Sequence, residues 1–206
     1  MLNAAWRAAG LALAVACGAP AAEPASRRAA PRPAADLGES RAARVTVLEF
    51  SDFACHHCAG FARTVFPTLA RDFVEPGLVR WRLVPLVSGS TPHADAAAVA
   101  ATCAAEQQRL APMHERLFER RAEWSRARDP APHLLRYARE AGLDAARFAG
   151  CVRDPRTRAE VEALRRTAAQ LGVRAAPTFL VNGHRVEGAV SLAEFRAVVG
   201  AALATD

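Results

Sequence analysis

Cys55-His56-His57-Cys58 is the segment of this chain best equipped for chemistry. Two residues between the cysteines bring the sulfurs close enough for a reversible disulfide. The pair follows a β-branched apolar run, Val45 to Phe50, and precedes a stretch with helical spacing. A cysteine at a helix N-terminus meets free backbone N–H groups and a partial positive charge, and both favour its thiolate. His57, and His56 beside it, can add hydrogen bonds or positive charge. Stabilising the reduced pair makes the disulfide a stronger oxidant. Two histidines inside the motif therefore point to oxidation of substrate thiols rather than to their reduction.

Three other chemistries compete for the same four residues. Cys and His are good ligands for Zn or Cu. Consecutive residues opening a helix cannot readily turn every side chain toward one ion, and no second cluster is evident, so no metal is expected. Covalent haem attachment needs His directly after the second cysteine, where this chain has Ala59. A purely structural disulfide leaves the strand–CxxC–helix context unexplained.

The surrounding elements can be read from periodicity. Val45–Phe50 is apolar on both faces except for Glu49, as expected of a central strand. After the CxxC, Ala62, Val65, Phe66, Leu69 and Phe73 share one helix face, and Pro67 should kink that helix. Leu78 to Val84 is a second strand, so the start is a βαβ unit with parallel strands. From Thr91 to Leu171 the pattern is almost wholly helical. Thr91 is suited to cap its first helix, with Pro92 in the first turn. Later helices fall at Met113–Trp124, His133–Glu140 and Asp144–Val152, and Asp154-Pro155 opens another. Pro177–Val181 and His184–Glu187 are strands joined by the hairpin turn Asn182-Gly183. Ser191 and Glu194 have capping-box spacing ahead of a last helix. The reading is α/β: β, α, β, a helical block, β, β, α.

Composition excludes several classes. Of 206 residues, 51% are hydrophobic and 23% charged, a soluble globular balance. No apolar run approaches the ~18 residues of a spanning helix. Met1–Ala16 carries one Arg and then the apolar run AAGLALAVA, the anatomy of an export signal. Cys17 follows directly, so lipid attachment at Cys17 and ordinary signal cleavage both stay open. Residues 17–43 are rich in Ala and Pro and read as a flexible tether. Residues 44–206 remain for one folded domain. The net charge of +6 is carried by Arg alone. Without an aromatic-interleaved basic motif, and with an export signal, no nucleic acid partner is expected. His93, His114, His133 and His184 are scattered and read as capping, surface or core residues.

Val47–Phe61 (VLEFSDFACHHCAGF) and Ala176–Gly183 (APTFLVNG) together resemble the DsbA-like branch of the thioredoxin superfamily, and the resemblance covers nearly all of 44–206. It implies a thioredoxin-like fold with an inserted helical subdomain at about 91–171. It implies that Cys55 is the exposed nucleophile and Cys58 the resolving thiol. It implies a cis peptide bond at Pro177, with the Ala176 backbone offering hydrogen bonds to an extended substrate. Many relatives carry Thr or Val where this chain has Ala176, a departure that bears on redox poise and substrate preference. Glu49 matches an acid beneath the active site. A buried carboxyl must be partnered or neutral, and this one could relay a proton to Cys58 or serve as a hydrogen-bonded core acid. The resemblance also suggests a second disulfide, Cys103–Cys151, against the alternative of two inert thiols.

The expected activity is an exported protein thiol:disulfide oxidoreductase, a dithiol oxidase, in a periplasmic or other extracytoplasmic compartment. Its partners would be cysteine-containing substrate proteins and, by resemblance, a quinone-linked membrane reoxidant similar to DsbB or VKOR. No cofactor is called for, because the disulfide carries the electrons. A reductase or isomerase in the same compartment is the alternative, and behind it a non-catalytic binding or metal-binding module on the same fold.

Overall fold

The computed structural model describes residues 35–37, 43–87 and 91–205. The proposed signal at 1–16, Cys17 and most of the 17–43 segment lie outside the described residues. Ala35–Asp36 forms β1, Val45–Ser51 β2, Val79–Pro85 β3, Thr178–Val181 β4 and His184–Glu187 β5. They make one sheet in the order β1-β3-β2-β4-β5. β2 and β3 run parallel, Val47 opposite Trp81 and Glu49 opposite Leu83. β4 is antiparallel to β2 and to β5.

β1 corrects the tether boundary. Ala35 and Asp36 pair antiparallel with Leu83 and Arg82, and Leu37 is buried. Asp36 accepts hydrogen bonds from Arg80 at 2.8 Å. The Ala/Pro-rich composition conceals one apolar residue and one acid that find partners on β3.

Helices cover both sheet faces. α1, His56–Thr64, follows β2 directly. Pro67 does break the helix: α1 gives way at Val65 to a short α2, Phe66–Leu69, with Pro67 in its first turn, and then to a π-helical turn at Ala70–Val74. The helical block is α3 (Ala94–Glu106), α4 (Leu110–Glu119), α5 (Arg121–Ser125), α6 (Ala131–Glu140), α7 (Ala145–Arg153) and α8 (Pro155–Gln170). α9, Leu192–Ala204, closes the chain behind a complete Ser191–Glu194 capping box. The expected helix 113–124 is two: the chain turns at Arg120, and the Trp124 indole donates to the Leu117 carbonyl at 2.8 Å. Thr91 does not cap α3. His93 holds that position with φ 65°, and the Thr91 backbone carbonyl accepts from the Ala94 N–H.

Side chains alternate across β2 and divide the core in two. Val45 and Val47 join Cys58, Phe61, Trp81, Phe179 and Phe195. Phe50 points the other way, into a cluster with Val84, Leu164 and Ala168 that seats α8 on the sheet. A disulfide joins Cys103 on α3 to Cys151 on α7, with Cα atoms 5.8 Å apart. No described helix is long and apolar enough to cross a membrane.

Candidate active site

β2 ends at Ser51 and α1 begins at His56, so four residues turn the chain from strand to helix. The Asp52 carboxylate accepts the Ala54 N–H at 2.8 Å, and the Asp52 carbonyl accepts the Cys55 N–H at 3.0 Å. From the helical block, Arg121 donates to the Ala54 carbonyl at 3.0 Å. Cys55 is thereby held at the N-cap of α1 with extended backbone, φ −74° and ψ 131°. Its own side chain makes no capping bond, which leaves the sulfur available to partners outside the helix terminus.

Cys55 is half-buried and Cys58 fully buried, both as free thiols. Their environments push them apart. The Cys58 thiol hydrogen-bonds the Cys55 sulfur, and the backbone N–H groups of Cys58 and His57 add to this. Partial burial and the Asp52 charge oppose the effect, yet the Cys55 pKa falls from 9.0 to about 5. Cys58 moves strongly upward, because it donates to Cys55 and because burial penalises its thiolate. One sulfur is a half-buried thiolate at neutral pH and the other a fully buried thiol.

His56 and His57 are both exposed, with ring centroids 3.8 Å apart. What His57 contributes to Cys55 is its backbone N–H. Across the site, the Ala176–Pro177 peptide bond is cis. The Ala176 carbonyl oxygen lies 3.5 Å from Cys55 Sγ, close enough to accept from the thiol form. Pro177 thus sits beside the cysteine pair, 121 residues after Cys55 in sequence.

Glu49 is fully buried on β2, two residues before Ser51. The Trp81 indole donates to Glu49 Oε2 at 2.8 Å, while Oε1 has no hydrogen-bond partner. Burial raises its pKa from 4.5 to about 7, with Trp81 and Ser51 opposing. Among the described residues no group of three Cys, His, Asp or Glu side chains is arranged to hold a metal ion. His114 is buried among Phe53, Phe66 and Phe118, and burial lowers its pKa to about 4, so it is a neutral core residue.

Three neighbours of the site escaped the sequence reading. Trp81 was legible only as a strand residue, although an aromatic with a polar tip beside a buried acid on a parallel strand is a natural donor. Ser51 shares the Glu49 face by the period-two rule. Arg121 carries no local signal, because only the tertiary fold brings α5 to the turn.

The family model described as Thioredoxin matches residues 35–201. The Na(+)/H(+) antiporter NhaA 3 of Salinispora tropica is 36% identical over 165 residues, 80% of this chain and 24% of that protein. The chain therefore spans about a quarter of the length of that curated relative. BdbD of Bacillus subtilis in its oxidised form superposes with a TM-score of 0.73 at 22% identity, covering 83% of this chain and 93% of that one. α-DsbA1 of Wolbachia pipientis gives 0.71 at 21% identity, covering 84% and 92%. These solved structures share the fold with the helical block included.

Proposed function

The chain belongs to the thioredoxin family, and on that premise we propose that it is an extracytoplasmic thiol–disulfide oxidoreductase working as a dithiol oxidase through Cys55 and Cys58. The observation that carries this reading is the split between the two sulfurs: Cys55 held as a thiolate with a pKa of about 5, Cys58 held as a thiol. A stable Cys55 thiolate is a good leaving group and favours the reduced state, so the oxidised pair passes its disulfide on.

In the first step a substrate thiolate attacks Cys55 Sγ, the Cys55–Cys58 bond breaks, and Cys58 leaves with the electron pair. A second substrate thiol then attacks the mixed disulfide on the substrate sulfur and releases Cys55 as its thiolate. The substrate gains a disulfide and both cysteines end reduced. The Ala176 backbone offers pairing to an extended substrate segment beside Pro177, and Ala at this position leaves only a methyl group there to select among substrates. Glu49 supplies and recovers the Cys58 proton. His56 and His57 form the exposed shoulder of the site. The Cys103–Cys151 bridge staples the helical block.

Met1–Ala16 directs export, and Cys17, if lipidated, ties the domain to a membrane surface. A quinone-linked membrane partner similar to DsbB or VKOR reoxidises the pair. The oxidised protein should introduce disulfides into a reduced, unfolded secreted protein, and Cys55→Ser should abolish this. Activity that survives Cys55→Ser, or reduction of substrate disulfides in place of thiol oxidation, would overturn the reading.

A further inference from the structure

We propose that the Ser51 hydroxyl is the proton bridge between Glu49 and Cys58. The inference rests on the oxidoreductase reading above and assigns a residue to a step that reading leaves open. Glu49, Ser51 and Cys58 are each fully buried. Glu49 and Ser51 are two residues apart on β2 and so share a face. Trp81 occupies Oε2 of the carboxyl, which leaves Oε1, and Oε1 is without a hydrogen-bond partner. The Ser51 Oγ is equally buried and completes no hydrogen bond of ordinary geometry in the resting site.

A buried hydroxyl with no settled bond is costly, and a purely structural site would favour Ala. This hydroxyl has two neighbours within its influence: it bears on the Glu49 carboxyl and on the Cys58 thiol alike. The Asp52 backbone N–H, next along the chain, also faces the Cys58 sulfur. The strand end thus presents Ser51 to both the Glu49 carboxyl and the Cys58 thiol. Around Glu49 the facing groups are the Trp81 indole from β3, Ser51 from its own strand, and the apolar Leu83 and Phe179 opposite it on β3 and β4. No charged side chain is among the causes of its raised pKa.

The step balances. The substrate thiolate bonds to Cys55 Sγ, the Cys55–Cys58 bond breaks, and its electron pair goes to Cys58 Sγ. Ser51 gives its hydroxyl proton to that sulfur and takes the proton of Glu49. The products are the mixed disulfide, the Cys58 thiol and the Glu49 carboxylate. Reoxidation runs the transfer backwards and restores the carboxyl.

The test follows reduction of the oxidised full chain by glutathione from about pH 5 to about pH 9, with each rate divided by the glutathione thiolate concentration. The wild-type rate should fall as pH rises through the Glu49 titration near 7. Ser51→Ala should lose that dependence and be at least about tenfold slower at low pH, against the ~10²–10⁴-fold that positioned acids supply. Ser51→Thr should restore both. A proton inventory on the wild type should require two protons in flight, a readout that needs no variant to fold. An unchanged Ser51→Ala profile, failure of Ser51→Thr to rescue, or a one-proton inventory would overturn the relay alone. A wild-type disulfide inert to glutathione would overturn the oxidoreductase reading and the relay with it.

Discussion

Glu49→Gln should stabilise the fold at alkaline pH and leave it nearly unchanged in acid. The carboxyl is fully buried with one oxygen bonded to Trp81 and the other unpartnered, and Gln keeps an oxygen for the indole. Burial lifts the pKa from 4.5 in the unfolded chain to about 7 in the fold. A raised carboxyl binds its proton more tightly when folded. Its contribution is therefore fully present below pH 4.5 and is lost as pH rises through about 7. At ~1.36 kcal/mol per pH unit the gap amounts to about 3 kcal/mol by about pH 9. Urea unfolding of the oxidised protein, in which neither active-site thiol titrates, measures it directly. The Glu49→Gln gain should be close to zero at about pH 4 and about 3 kcal/mol at about pH 9. Equal effects at both pH values, or a net loss at high pH, would refute the claim that Glu49 is a desolvated acid without an ionic partner.

Thiolate absorbance of the reduced protein should rise with a midpoint near pH 5. Cys58→Ala removes the largest stabilising contribution and should move that midpoint upward; an unmoved midpoint would assign the effect to the helix terminus instead. His57→Ala should leave the midpoint close to the wild-type value, because alanine retains the backbone N–H; a large rise would restore a role to the imidazole. Replacing both Cys103 and Cys151 with serine opens a loop with a sequence separation of 48. By the chain-entropy relation the fold should lose about 4 kcal/mol, read by urea unfolding, with the Cys55 midpoint unchanged.

Much of this was legible because the chemistry is local at each end of the site. Strand β2, the CxxC at a helix start, the Pro67 break, the Asn182-Gly183 hairpin and the Ser191 capping box each declare themselves within a few residues. The approach of Ala176 to Cys55 is not local, and its expectation came from family resemblance rather than from periodicity. Trp81, Ser51 and Arg121 were missed because their importance arises from strand register and from packing of the helical block. Register depends on pairing between distant segments, which a single run of residues does not display. The same limit explains β1: two residues of strand inside an Ala/Pro-rich stretch have no period of their own, and only the β3 edge organises them.

Redox equilibration of the folded domain against glutathione separates a dithiol oxidant from a reductant. A Cys55 thiolate stabilised to a pKa of about 5 predicts a disulfide well above thioredoxin's potential of about −270 mV, toward the ~−120 mV of a strong dithiol oxidant. A potential at or below the thioredoxin value would contradict the oxidase account.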